Sequence, residues 1–127
     1  MTKTLLVGFG GFLGSIGRYL AGGAVHRLAE GSVLPYGTLF VNATGCLAIG
    51  FLAALSEARG VLSPEARVFL LIGVLGGYTT FSSFGYETFQ LLRGGEMLAA
   101  LANVLVQVVV GLGAVWAGSA AARLIWG

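Results

Sequence analysis

The chain has 127 residues, of which 57% are hydrophobic and only 9% are charged, with a formal net charge of +2. A soluble domain carries about a quarter charged residues, so this composition excludes that class and indicates an integral membrane protein. The small positive charge, without a basic and aromatic cluster, also argues against nucleic-acid binding.

Long apolar stretches cover most of the chain and predict its architecture. A helix that crosses about 30 Å of hydrocarbon needs roughly 20 apolar residues. The stretches that meet this length are Leu5–Val25, Leu34–Leu55, Val68–Leu92 and Leu98–Leu124. The connections between them are short, which predicts one domain, residues 1–127, with helices running alternately up and down. We therefore predict an all-α membrane protein with four transmembrane helices.

The first two stretches carry small and polar residues. The first is longer than the apolar core of a cleaved secretory signal, so we interpret it as a membrane span. Gly10 and Gly14 are spaced as in close helix contacts. Arg18 either attracts anions at the mouth of a pore or reaches the lipid headgroups. Asn42, in the second stretch, is costly in lipid and is expected to face the interior or a pathway.

The third stretch is interrupted in its middle by residues 76–84, which read Gly-Gly-Tyr-Thr-Thr-Phe-Ser-Ser-Phe. Lipid offers no water to unpaired backbone groups, so we predict a helix that is broken at mid-membrane and meets protein or a water-filled path there. The end of a helix presents carbonyl groups, which suit a small cation such as Na⁺. The start of a helix presents N–H groups, which suit an anion.

Several side chains beside this interruption are candidates for an ion route. The edges of the Phe81 and Phe84 rings carry partial positive charge and attract an anion, although ordinary packing explains such residues equally well. Glu87 lies four residues after Ser83 and either lines a vestibule or is a paired carboxylate near the interface. In the fourth stretch, Asn103 and Gln107 share one helix face, where they line a route or only hold helices together.

The remaining residues give little support to an enzyme. His26 is the only histidine, and it has no Cys, Asp or paired carboxylate at a recognisable spacing. We therefore expect no metalloenzyme ligand set and no nucleophile triad. The single cysteine, Cys46, permits no disulfide within the chain and is expected to be a small buried residue.

The positive charges give only a weak preference for one orientation in the membrane. Lys3, Arg59, Arg67 and Arg123 lie on one predicted side, and Arg27 and Arg93 lie on the other. This balance permits insertion in both orientations and an antiparallel dimer, or a single orientation that is set weakly by these charges.

Three motifs follow one another along the chain. They are Gly14-x-x-x-Arg18-Tyr19, Gly37-Thr38-Leu39-x-Val41-Asn42-x-x-Gly45 and Gly73-x-x-Gly76-Gly77-x-Thr79-Thr80-Phe81-Ser82-Ser83-Phe84-x-x-Glu87. In these motifs, in length and in its four predicted spans, the chain resembles the Fluc (CrcB) fluoride channels of bacteria. Ser83 stands where members of that family often have threonine, which keeps the hydroxyl group.

The resemblance implies an antiparallel dual-topology homodimer in the bacterial inner membrane, with two pores that export fluoride passively. It implies a central structural Na⁺, held by the backbone carbonyls of Gly76 and Thr79 from both subunits. The residues implied for the pore are Phe81 and Phe84 as anion-facing rings, Asn42 as a hydrogen-bond donor, and Thr38, Ser83 and Glu87 as a polar route. Arg18, Asn103 and Gln107 are candidates for a vestibule.

Two other functions fit a chain of this size. A small dimeric four-helix drug antiporter coupled to protons is similar in length, but such proteins usually carry a glutamate in the first helix, where this chain has none. A subunit that supports an assembly and transports nothing is the third possibility.

Overall fold

A computed structural model gives the fold of residues 1–126, with the backbone alone described at residues 58, 59 and 126. The charge of Arg59, counted above, therefore lies outside the described side chains. The helices are α1 (Thr2–Leu28), α2 (Tyr36–Arg59), α3 (Pro64–Arg67), α4 (Leu75–Tyr78), α5 (Phe81–Arg93) and α6 (Met97–Trp126), with π-helical turns over Val68–Val74 between α3 and α4.

Within the described residues, four helical segments are long and apolar enough to cross a membrane. They are Thr2–Leu28, Tyr36–Glu57, Pro64–Arg93 and Met97–Ile125. The prediction of four transmembrane helices is therefore confirmed, with α3 to α5 forming the third span. The third segment begins before its apolar stretch does, because backbone capping and not apolarity decides where this helix starts.

The loop between the second and third spans shows this capping clearly. Gly60 ends α2 in a left-handed conformation, with a φ of 58°, which glycine adopts without steric cost. The Ser63 side chain then accepts a hydrogen bond of 3.1 Å from the Ala66 N–H, and Pro64 fills the first position of α3. The third span therefore starts at Pro64, four residues before its apolar run.

Glycines allow α1 to pack directly against the third span. A Cβ atom at Gly10 would lie 2.7 Å from the Phe69 carbonyl oxygen, and one at Gly73 would lie 3.0 Å from the Gly10 Cα. A Cβ atom at Gly77 would lie 2.9 Å from the Gly11 Cα. With no side chain between them, the two backbones approach closely enough for dispersion forces to hold them together.

The most extensive helix contact joins α2 and α6. Gly50 lies against the backbone of Val115, and Gly118 lies against the backbone of Leu47. This close approach lets the Asn42 side chain of α2 reach Gln107 of α6.

The interior of the helix bundle holds polar side chains beside a few apolar ones. The buried apolar residues are Val41, Leu75, Ala100 and Ala122, and the buried polar residues are Ser56, Thr80 and Asn103. Many large apolar side chains, such as Leu98 and Leu112, lie on the outside. A bilayer covers such surfaces, so polar contacts and close backbone packing, more than an apolar core, distinguish the inside of this fold.

Replacing Gly14 by alanine should destabilise the protein. The new Cβ atom would meet the Val74 carbonyl oxygen and lie 2.8 Å from the Tyr78 backbone nitrogen. Forcing the helices apart should cost about 1–3 kcal/mol and lower the midpoint of thermal unfolding in detergent. Gly8→Ala is the matched control on the same helix, since a Cβ atom there meets nothing within 4 Å. Equal midpoints for the two variants would contradict this account of the packing.

Candidate functional site

Two residues in the middle of the third span have extended backbones. Thr79 has φ and ψ of −84° and 158°, and Thr80 has −150° and 113°. α4 ends just before them, and α5 starts just after them. The Thr80 hydroxyl caps α5 by accepting a hydrogen bond of 3.1 Å from the Ser83 N–H. A new helix therefore begins directly after the interruption, and its first residues include Phe81 and Phe84.

Asn42 of α2 pairs with the peptide groups of Thr80 as a neighbouring strand would. The Thr80 N–H donates to Asn42 Oδ1 at 2.8 Å, and Asn42 Nδ2 donates to the Thr80 carbonyl at 3.2 Å. In a continuous helix the Thr80 N–H would instead donate to the Gly76 carbonyl. Asn42 thus leaves the Gly76 carbonyl without its ordinary helical partner.

A chain of amide and hydroxyl groups runs from Asn42 to α6 and back to α5. We call Asn42, Gln107, Asn103 and Thr88 the amide chain. Asn42 Nδ2 donates to Gln107 Oε1 at 3.0 Å, and Gln107 Nε2 donates to Asn103 Oδ1 at 3.4 Å. Asn103 Nδ2 donates to Thr88 Oγ1 at 2.9 Å, and that hydroxyl donates to the Phe84 carbonyl at 2.8 Å. The chain ties both ends of the Thr80–Phe84 segment to α6.

A first cavity of about 370 Å³ lies beside this segment. The candidate residues that line it are Asn42, Gly76, Thr79, Phe81, Phe84 and Gln107. The two phenyl rings are 5.4 Å apart between centroids and inclined by 56°. Phe81 is 82% exposed, so the cavity opens on the outside of the helix bundle.

A second cavity of about 420 Å³ contains the other candidates, Arg18, Thr38, Ser83 and Glu87. The Thr38 hydroxyl donates to Glu87 Oε1 at 2.6 Å. The second carboxylate oxygen, Oε2, is buried and has no hydrogen-bond partner among the described residues. Of the candidate residues, only Asn103 lines neither cavity, because it is buried within the amide chain.

Arg18 reaches the interruption from α1. Its Nη1 donates to the Thr79 carbonyl at 3.3 Å, and the residue is half-buried. Because glycine contacts hold α1 close to the third span, the guanidinium group lies near the extended residues. Its positive charge therefore lies at the wall of the second cavity.

The structure adds two residues that sequence reasoning did not assign to the site. Thr80 lines both cavities, and its hydroxyl contacts those of Ser82 and Ser83 at 3.3 and 3.0 Å. Thr88 completes the amide chain. A hydroxyl residue placed just before a helix is typical of an N-cap, so the sequence contained a signal for Thr80. Nothing in the sequence separates Thr88 from an ordinary helical threonine.

The family described as CrcB-like protein, Camphor Resistance (CrcB), matches residues 5–119, which include every candidate residue named above. The chain belongs to the CrcB family. The resemblance seen in the sequence motifs is thereby confirmed.

Similar relatives align along almost their whole length. The fluoride-specific ion channel FluC of Rhizobium meliloti (strain 1021) is 49% identical over 97% of this chain and 98% of its own. The proteins of that name from Nitrobacter winogradskyi and Geobacter sulfurreducens are each 46% identical, over 98% and 97% of this chain and 98% of their own. Together with the four apolar helices, this makes the chain a multi-pass protein of the bacterial inner membrane.

Replacing Asn42 by alanine should destabilise the fold as well as change the site. It would leave the N–H and C=O groups of Thr80, a buried residue, without their side-chain partner. An unpaired buried group costs about 1–3 kcal/mol, so the midpoint of thermal unfolding in detergent should fall clearly. In the control, Thr44→Ala, the lost hydroxyl contacts only Tyr78 and carbonyls of its own helix, and a smaller shift is expected. An equally small shift for both variants would argue against the pairing of Asn42 with Thr80.

Proposed function

We propose that the chain forms a fluoride channel that conducts the ion passively. The observation that supports this best is the first cavity, where the Asn42 amide, two phenyl rings and the start of α5 converge. The names of the relatives, fluoride-specific ion channel FluC, agree with this function.

The groups around the first cavity can replace the water that a small anion loses. The ring edges of Phe81 and Phe84 carry partial positive charge, and the start of α5 adds the positive end of a helix dipole. Asn42 supplies an amide hydrogen. Each contact is weak, which suits conduction, because an ion that is held too firmly at one position cannot leave.

Hydroxyl groups continue the route into the second cavity. Thr80 donates its hydroxyl hydrogen to Ser83 Oγ, so the Ser83 hydrogen is free to turn toward an ion. The Thr38 hydroxyl is held by the Glu87 carboxylate. In our proposal, Glu87 orients hydroxyl groups, and Arg18 offsets its negative charge at the mouth of the route.

We also propose that the working unit is an antiparallel homodimer with two pores. The first cavity is open to the outside of the subunit, and Phe81 and Gly76 are exposed there. An unpaired polar group such as the Gly76 carbonyl is costly where it faces lipid, so a second copy would cover it. The weak charge bias of the loops is compatible with two opposite orientations.

The same face fits a structural Na⁺ on the two-fold axis. Among the described residues, the Gly76 carbonyl lacks its helical partner, and the Thr79 carbonyl accepts a single long bond, from Arg18, and keeps a lone pair. Among the described residues no group of three or more His, Cys, Asp or Glu side chains converges, so backbone carbonyls are the oxygen donors at hand. One subunit offers these two carbonyls, and a partner would double them. A bound Na⁺ would supply positive charge and link the subunits.

The antiporter alternative is not favoured. α1 carries no glutamate, and the relatives are named as channels.

Replacing Phe81 by isoleucine should slow fluoride efflux from liposomes about two- to tenfold, since an aromatic contact contributes about 0.5–1.5 kcal/mol. A fluoride-selective electrode measures the efflux. Phe89→Ile is the matched control on the same helix, because Phe89 lines neither cavity.

Asn42→Asp should abolish efflux through charge repulsion. Efflux as fast as wild type from Phe81→Ile and Asn42→Asp would refute the assignment of these residues.

Removing sodium should test the proposed cation site separately. Protein that is purified and reconstituted with N-methylglucamine in place of Na⁺ should lose fluoride current and dimer stability. Without a small cation, the partial negative charges on the carbonyl oxygens of Gly76 and Thr79 from the two subunits would repel each other. Returning Na⁺ should restore both, and the bulky cation choline should not. Current and dimer stability that do not depend on Na⁺ would rule out the structural role of the ion.

A further inference from the structure

The two hydrogens of the Asn42 amide have different acceptors. One is held by the Thr80 carbonyl and the other by Gln107 Oε1. The Thr80 N–H can only donate, so its bond to Oδ1 already fixes which way the Asn42 amide points. Gln107 is therefore not needed to orient Asn42. Its oxygen instead accepts a hydrogen bond from the second amide hydrogen of Asn42.

That second hydrogen lies at the wall of the first cavity. Asn42 and Gln107 both line this cavity, together with Phe81 and Phe84. An anion that enters between the rings and the Asn42 amide has to take the hydrogen from Gln107, because the other hydrogen belongs to a backbone carbonyl that cannot turn away. Gln107, a long side chain on another helix, can move.

The rest of the amide chain keeps the Gln107 oxygen directed at Asn42. The Phe84 carbonyl can only accept, so the Thr88 hydroxyl donates to it and accepts from Asn103. Asn103 is only 4% exposed and presents its oxygen to Gln107 Nε2. Every bond in the chain thus points the same way, and a Gln107 amide turned around would place two donors against each other.

We propose that Gln107 is an exchange acceptor, a side chain that holds the Asn42 hydrogen between ions and competes with each ion for it. The competition weakens anion binding at this position and speeds release, and so sets how tightly the route holds its ion. Asn103 and Thr88 are positioning residues that act through Gln107. The inference rests on the proposed fluoride channel and extends it to α6.

The test is the fluoride dependence of current in planar bilayers with the Gln107→Met variant, which keeps the volume and removes the acceptor. Without a competitor, the half-saturating fluoride concentration should fall roughly three- to tenfold, the worth of one net hydrogen bond. The maximal current should also fall, because release is slower. The matched control is Gln90→Met, the same change in a residue whose amide bonds only to the Tyr86 hydroxyl, and it should leave both values unchanged.

Asn103→Leu separates this role from simple support of the fold. Asn103 lines neither cavity, yet its loss lets the Gln107 amide rotate. The half-saturating fluoride concentration should therefore also fall, but by less than in Gln107→Met. The Gln107→Met and Asn103→Leu double variant should match Gln107→Met alone. A lower maximal current at an unchanged half-saturating concentration, or unchanged curves, would overturn the inference. A wild-type protein without fluoride current would overturn the proposed function itself, and the inference with it.

Discussion

The peptide groups of Thr80 impose the constraint on which the site depends. They lie in the middle of a membrane span, where lipid supplies no hydrogen-bond partner. Asn42 satisfies both groups at 2.8 and 3.2 Å, and this allows the backbone to stay extended at Thr79 and Thr80. Because the backbone is extended there, a new helix can begin at Phe81, and a carbonyl of the preceding helix is left without its usual donor.

Close backbone packing makes this arrangement possible. Side-chain amides are short, so α2 must lie close to the third span for Asn42 to reach Thr80, and close to α6 for Asn42 to reach Gln107. Gly50 and Gly118 allow that approach between α2 and α6, and Gly10 and Gly73 allow it between α1 and the third span. The glycines thus determine the distances at which the polar groups meet, although none of them needs to touch an ion.

Sequence patterns predicted the four spans because hydropathy and length are sufficient to identify a membrane-spanning helix. They also singled out Phe81 and Phe84 together as anion-facing rings, and the ring centroids are 5.4 Å apart. They did not predict that Asn42 pairs with Thr80, since an asparagine in a span indicates only that some partner exists. Nor did they give the direction of the bonds through Asn103, because that direction depends on which helices cross there and on the donor or acceptor at each end.

The π-helical turns at Val68–Val74 affect how the rest of the third span is rotated relative to α1. A π turn closes its hydrogen bond over one more residue than an α turn does, so it contains more residues per turn than an α-helix. Each residue added to an α-helix rotates the remainder of that helix by about 100°. The turns absorb such a rotation ahead of Gly77, whose backbone still faces Gly11. Adding or removing one residue before Gly77 would therefore turn Gly77 away from Gly11 unless these turns changed their width.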